Sequence, residues 1–346
     1  MNLRGVEKID RDLNVILRID SDLPIEEGKI LDNSRLVKSV STINLLLSKN
    51  CKLIILGYRD RPQGMDLNLS LRPVYAELMS LLRNGNEEFD ISSVFVDDVT
   101  DSEKIKDALR NNQIVFLENL RFWPGEDNCD PEFLSSLSFI CQAFVNDSIA
   151  TAHRKTASVM LHKSMDTYYG LSFIEEIEKM RTLLDNPSKP VLIILGGSKK
   201  DKLNYLEKLT DIADNVLIGG KLPNFIDEMF TEEIAGKMDK IMIGKLDISG
   251  MDISDETIEK FKEMIGTAGT IIWVGAIGKF ENEENRKGTK EIAEAMAKSS
   301  AYKVIGGGDT ESSLSLLELV ENMDFVCSGG GVLLEFLTKR TLPAWE

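Results

Sequence analysis

The sequence predicts an α/β protein of two doubly wound, parallel-sheet, Rossmann-like domains joined by a long helix, with a cleft between the domains. Three observations carry this expectation. At 346 residues the chain exceeds the ~250–300 residues at which a single core stops growing. Short apolar runs alternate with helix-periodic segments through both halves, the pattern of a parallel sheet with crossover helices. Between the halves, Leu171 to Leu184 (LSFIEEIEKMRTLL) is a strongly periodic helix stopped by Asp185-Asn186-Pro187. The boundaries that follow are a first domain over 1–168, a linking helix over 169–186 and a second domain over 187–331.

Leu13 to Ile19 reads as a strand that runs directly into Asp20-Ser21-Asp22-Leu23-Pro24, and two carboxylates at a strand end either hold a cation or accept hydroxyl hydrogen bonds. A helix from about Asp32 to Lys49 follows, capped by Asn33 or Ser34, with Arg35 in its first turn. A cation there opposes the macrodipole, which gives Arg35 a task other than capping. Lys52 to Gly57 is a second strand, ending in Tyr58-Arg59-Asp60-Arg61-Pro62. A helix at about Leu71 to Leu82, a strand at Ser93 to Asp97 and a helix at Ser102 to Leu109 lead to Ile114 to Leu117. That run is too short and too bounded for a helix. Glu118, Asn119 and Arg121 sit just past its carboxyl end, where open α/β sheets keep their ligand crevices. Arg121 reads as an anion clamp, or as a loop arginine paired with Glu118 or Glu126. Pro131 to Ser138 is expected to be helical, and Gln142 to Val145 is the fifth strand, ending in Asn146-Asp147-Ser148 and, further on, His153-Arg154. Right-handed crossovers gather these tips on one edge, which brings several arginines to one crevice.

The second half restarts the alternation with strands at Val191–Leu195, Asp214–Ile218, Lys240–Ile243, Thr270–Val274, Tyr302–Ile305 and Asp324–Cys327. Its tips carry glycine and lysine instead of arginine: Gly196-Gly197-Ser198-Lys199-Lys200-Asp201-Lys202, Gly219-Gly220-Lys221, Gly275-Ala276-Ile277-Gly278 and Gly306-Gly307-Gly308-Asp309-Thr310. Glycines let main-chain N–H groups approach a ligand, and a helix starting at Thr310 aims its dipole at an anion. This edge reads as a nucleotide-phosphate site. Neither G-x-x-x-x-G-K-[ST] nor a strand followed by G-x-G-x-x-G occurs, so a Walker loop and a dinucleotide dehydrogenase are both disfavoured.

Composition sets the outer limits. Hydrophobic residues make up 42% and the mean hydropathy is −0.12, as in ordinary globular proteins. The net charge of −16 argues against a nucleic-acid or anionic-membrane binder, so any phosphate site must be a local basic island. Most arginines precede Tyr169, and only Arg181, Arg286 and Arg340 follow it. Four cysteines without a C-x-x-C pair and only two histidines give no zinc spacing and fit reduced thiols in a cytoplasm. The amino terminus shows no signal-type apolar region, and no apolar run approaches the ~20 residues of a membrane span.

With these tips in hand, the chain resembles the phosphoglycerate kinases along nearly its whole length. The matching stretches are LRIDSDLP, the Arg35 helix, YRDRP, ENLRFWPGE, VNDSIATAHR, GGSKKDK, WVGAIGKFE, GGGDT and SGGGVLLEFL. The resemblance implies reversible transfer of the acyl phosphate of 1,3-bisphosphoglycerate to ADP, giving 3-phosphoglycerate and ATP, by a cytoplasmic monomer. By position, Asp20, Ser21, Asp22, Arg35, Tyr58, Arg61, Arg121 and Arg154 match the 3-phosphoglycerate site. Arg35, Lys199 and Lys202 match the groups that neutralise the transferring phosphoryl. Gly196, Gly197, Gly219, Gly220, Glu281, Gly307, Gly308, Asp309 and Thr310 match the nucleotide site, with Glu281 at the ribose and Asp309 on a magnesium ion that travels with the nucleotide. The resemblance also implies domain closure about the long helix, with residues 332–346 returning to the hinge or the first domain.

Several positions depart from the family pattern. Asp22 stands where R-V-D-F-N-V-P has Asn, and Tyr58 where S-H-L-G-R-P has His. The lysine loop is one residue shorter than G-G-A-K-V-S-D-K, so Lys199 and Lys202 are three apart and either is a candidate for the phosphoryl. Val274 and Ala276 replace the Asn and Pro of W-N-G-P, and the region from Phe225 to Met251 is shortened. Val274 and the short region favour a rival reading, a binding or regulatory relative that keeps the fold. Retention of the arginines, lysines, Glu281 and Asp309 favours the enzyme, because phosphoryl transfer needs positioning and charge neutralisation above all.

Overall fold

In the computed structural model, which describes residues 3–84, 91–229 and 231–346, six strands form the first sheet: β1 (Asn14–Arg18), β2 (Lys52–Leu56), β3 (Ser93–Val96), β4 (Ile114–Leu117), β5 (Ala143–Asn146) and β6 (Asp166–Tyr169). Their order is β3-β4-β2-β1-β5-β6, and every pairing is parallel. Helices α1 (Ser34–Ser48), α2 (Arg72–Asn84) and α3 (Ser102–Asn111) are among its connections. Both faces of the sheet are buried, which is why the strands read as continuous apolar runs. Successive residues still alternate between faces. Leu17, Ile55, Phe116 and Val145 pack with Ile43 and Leu46 of α1 and Leu78 of α2. Their neighbours Ile16, Ile54, Val115 and Phe144 pack with Ile105 and Leu109 of α3.

The long helix α4 (Leu171–Asp185) follows β6. Its first turn is held by residues from elsewhere in the first unit. Leu171 N donates to Thr42 Oγ1 at 2.9 Å, while Asp147 Oδ1 accepts from Ser172 Oγ at 2.7 Å and from Phe173 N at 3.2 Å. A Cβ on Gly170 would fall 2.1 Å from Asp147 Oδ1, so this approach requires glycine.

The second sheet contains β7 (Val191–Leu195), β8 (Asn215–Ile218), β9 (Ile241–Ile243), β10 (Thr270–Val274), β11 (Tyr302–Gly306) and β12 (Phe325–Cys327). Its order, β9-β8-β7-β10-β11-β12, is the doubly wound order in which the chain reverses between the first and fourth strands, here β7 and β10. Helices α5 (Asp255–Thr267) and α6 (Lys287–Lys298) bury Phe261, Ile265, Ile292 and Met296 against Ile271 and Trp273. Helices α7 (Gly308–Leu316) and α8 (Gly330–Lys339) start at the glycine tips of β11 and β12.

By contact density the chain forms two units, one ending at Ile177 and the other spanning Glu178–Leu342, with Pro343–Glu346 grouped with the first. Those last residues are anchored there. Ala344 N donates to Ala152 O at 3.2 Å, Tyr169 Oη donates to Ala344 O at 3.0 Å, and the Trp345 ring meets Tyr169 and Phe173 edge-on, centroids 6.4 and 6.0 Å away.

Three expectations are corrected in detail. The first sheet has six strands instead of five, β6 being a short edge strand. Pro131 to Ser138 is not one helix: Asp130 Oδ1 accepts Glu132 N at 2.9 Å and Ser135 Oγ donates to Glu132 O at 2.8 Å, so side chains hold turns and the helix runs only over Ser135–Ile140. The cap of α1 comes from Asp32, whose Oδ1 accepts Ser34 N at 2.8 Å, while Asn33 donates to Glu77 instead. Among the described residues, no helix is long and apolar enough to cross a membrane.

Candidate active site

In the first sheet the chain changes direction at β1, so β1 and β5 flank the crevice expected beyond the strand ends. Register pairs Arg18 with Asn146 there. The Arg18 guanidinium is buried, donating to Ser158 Oγ at 2.9 Å, Ser148 O at 3.1 Å and Thr151 Oγ1 at 2.6 Å. The same Ser158 hydroxyl donates to Glu126 at 2.5 Å, so the carboxylate offered above as a partner of Arg121 is engaged elsewhere. Glu118 is engaged as well, accepting from Ser70 Oγ at 2.6 Å and Leu71 N at 2.8 Å ahead of α2. Arg121 instead donates from one terminal nitrogen to Asp60 O at 2.6 Å and places its Nε 3.7 Å from Asp127. Asn119 stitches the tip of β4 to that of β2, accepting from Arg59 N and donating to Arg59 O.

Around this frame the sequence-predicted residues converge. Asp20 is buried and lies 3.7 Å from the Arg35 guanidinium. Burial raises its pKa and Arg35 opposes the rise. Asp22 Oδ1 accepts Asp60 N at 2.8 Å. Arg154 is half-buried, and its pKa is lowered first by burial and then by repulsion from Arg121 and Arg61. Arg154 thus stands close enough to Arg121 and to the exposed Arg61 to be repelled by each. Ser21 is closed off: its hydroxyl is fully buried, donating to Tyr58 O and accepting from Tyr58 N, both at 2.7 Å.

In the second unit the switch point between β7 and β10 carries Lys202. Its Nζ donates to Gly196 O at 2.8 Å and Val274 O at 3.4 Å, one carbonyl from each strand tip. A Cβ on Gly275 would lie 2.1 Å from that nitrogen and 2.3 Å from Gly196 O, and with φ at +96° the position calls for glycine. Burial lowers the Lys202 pKa to about 8, with Asp309 opposing the shift. Lys199 is exposed. A cavity of about 250 Å³ opens alongside, lined among others by Gly197, Gly220, Glu281 and Asp309, with Met251 and Phe280 as larger side chains. Gly219 N donates to Leu195 O at 2.8 Å, which continues the sheet ladder. Gly307 precedes α7 and Gly308 opens it, placing the exposed Asp309 in its first turn. Thr310 is fully buried and its Oγ1 accepts Gly275 N at 2.7 Å, a strut between α7 and the tip of β10.

Sequence reasoning passed over Arg18, Met251 and Phe280. Arg18 lies inside LRIDSDLP and Phe280 inside WVGAIGKFE, and both could have been read with those stretches, whereas nothing local marks Met251.

A family model described as phosphoglycerate kinase matches residues 6–238 and 224–340. A phosphoglycerate kinase of Akkermansia muciniphila is 33% identical over 380 aligned positions, covering 95% of this chain and 93% of its own. One of Finegoldia magna is 33% identical over 388 positions, covering 97% and 98%. Both alignments exceed the 346 residues available, so both relatives carry segments that this chain lacks. Among solved structures, phosphoglycerate kinase from Pyrococcus horikoshii OT3 gives a TM-score of 0.80 at 25% identity, covering 99% of this chain and 97% of that one. The enzyme from Coxiella burnetii gives 0.76 at 27% identity with the same coverage.

Proposed function

The chain belongs to the phosphoglycerate kinase family, and from that premise we propose that it moves the acyl phosphate of 1,3-bisphosphoglycerate to ADP and back, with a magnesium ion that arrives on the nucleotide. The observation that carries this reading is the basic island in an acidic chain. Arg121 and Arg61 both repel Arg154 in a protein of net charge −16, an arrangement that an anionic acceptor would relieve. Arg35 stands nearby at the start of α1, paired with Asp20.

On the nucleotide side, Lys202 is the better candidate for the phosphoryl, since its amine is held at the switch point while Lys199 points to solvent. At the Val274 departure the main-chain carbonyl accepts from Lys202, a contact that does not depend on the side chain. Asp309 lines the cavity as a hard oxygen donor, and among the described residues no group of three or more metal-binding side chains exists. Both facts suit a magnesium ion held mainly by nucleotide phosphates and water. Bound there, magnesium would neutralise phosphate charge. The protein's own share is electrostatic: fixed guanidiniums and an amine aimed at charge that develops on the transferring group. An acyl phosphate is already activated, so no general base is required. We also read the protein as a cytoplasmic monomer. The four cysteines are free thiols, which supports a reducing compartment.

A coupled assay with magnesium, ATP and 3-phosphoglycerate tests the reading. Turnover that requires all three is expected, and Arg35→Ala should lower kcat by about 100-fold while KM changes less. Retained 3-phosphoglycerate binding without turnover would favour the regulatory relative.

A further inference from the structure

The ring of Tyr58 lies against two cations at once. The Cζ of Arg121 is 4.3 Å from its centroid and that of Arg18 is 5.3 Å away. The ring quadrupole attracts a guanidinium over its face, and the same ring serves two like charges that approach from β1 and from the segment after β4. The rest of the residue is committed to the frame. Its main-chain N–H and C=O both engage Ser21 Oγ, the residue is 2% exposed, and its hydroxyl faces Asp20 Oδ1 at 3.4 Å and the side chain of Thr151. A phenol this enclosed is poorly placed to donate to a ligand.

Resting on the acceptor-site reading above, we propose that Tyr58 is a positioning residue, a neutral aromatic spacer that holds the Arg121 guanidinium in place for the acceptor's anionic groups, while the buried Arg18 stays part of the frame. Its ring, not its hydroxyl, sets acceptor affinity. Of the other anchors of Arg121, Asp60 O lies on a loop and Asp127 ends the short helix Pro124–Asp127, outside the sheet. The ring at the tip of β2 is therefore the contact that ties Arg121 to the sheet. Burial and Asp20 push the phenol pKa up to about 12, so the spacer adds no charge of its own at any working pH.

Steady-state kinetics on the full chain separate ring from hydroxyl. Tyr58→Phe should leave KM for 3-phosphoglycerate within about twofold, because the ring contact survives. Tyr58→Leu should raise KM about tenfold, the loss of one to two cation–π contacts, with kcat little changed. Tyr58→Met, close in volume but without a ring, should behave like Leu and serves if Leu does not fold. Combined with Arg121→Lys, the Leu or Met change should add less than its separate effect, because both act through one guanidinium; a general packing defect would add in full. A Phe variant as impaired as Leu would make the hydroxyl the working group, and a Leu or Met variant with unchanged KM would leave the ring idle. Either result overturns the proposal. Wild-type protein that neither binds nor turns over 3-phosphoglycerate would instead overturn the functional reading beneath it.

Discussion

Asp22 combines a structural contact with an unfavourable charge. Its Oδ1 holds the Asp60 amide, while its carboxylate stands beside Asp20 near the acceptor arginines. Asparagine keeps the acceptor oxygen and removes the charge. Asp22→Asn should therefore leave the unfolding free energy within about 0.5 kcal/mol of wild type and tighten 3-phosphoglycerate binding by about 1 kcal/mol in calorimetry. Weaker binding would mean that the charge serves a cation. Lys202 gives a pH signature. In the free enzyme its amine loses its proton as pH rises through about 8, so kcat/KM for nucleotide should fall above that pH. Lys202→Arg should remove the fall, since a guanidinium stays charged; a fall that persists belongs to another group. The linkage sign is the reverse of the usual lysine case. Between about 8 and 10.5 the unfolded chain binds the extra proton, so this residue's contribution to stability rises with pH through that window and is lost as pH falls through about 8. At this scale the charged tips were legible because they interrupt apolar strands. Arg18 interrupts a strand too, but its role in the frame was not legible, because its partner Ser158 lies 140 residues away and no local pattern records such a contact.

Strands and helices were the most legible level, since both sheet faces are buried and the interior strands are predominantly apolar, with polar residues near their ends. The exception is instructive. β6 (DTYY) is an edge strand with an exposed Asp166 and a half-buried Thr167, so it lacks the signal that marked its neighbours. Helix caps were less legible than helices: Asp32 caps α1 from two residues before Ser34, and α4 takes its capping carboxylate from Asp147, far earlier in the chain. Asp147 has a cost of its own. It is buried, its Oδ2 has no hydrogen-bond partner, and burial pushes its pKa up to about 6 against the hydrogen bonds from Ser172 and Thr42. A carboxyl whose folded pKa is raised contributes stability that is full below its ordinary range and lost as pH rises through about 6. Urea denaturation of wild type and Asp147→Asn at matched pH should show wild type losing ground to the variant between about pH 4 and 7. A constant difference across that range would mean that Asp147 titrates normally.

At the level of the whole molecule, the two units can be assayed through their separate chemistries, and the segment 343–346 makes that useful. Trp345 is 8% exposed against Tyr169 and Phe173, so Trp345→Ala should destabilise the first unit by about 3–5 kcal/mol, as large aromatic truncations in cores do. Because Ala344 also binds the carbonyl of Ala152, two residues before Arg154, acceptor affinity should weaken as well while nucleotide affinity holds. Calorimetry with each ligand checks this, and equal losses for both would deny that the segment serves the first unit alone. The two-domain layout was legible from length and alternation; the precise return point was not, since TLPAWE carries no periodicity of its own. The return also inverts the order in which a ribosome can finish the protein. Translation delivers Arg35, Arg61, Arg121 and Arg154 early, yet Trp345 emerges only after all of Glu178–Leu342 has been made. At about 5–20 residues per second, roughly 10–35 seconds pass between the last strand of the first unit and the aromatic that closes it. The half that is encoded first thus waits for nearly the whole of the second before its core is complete.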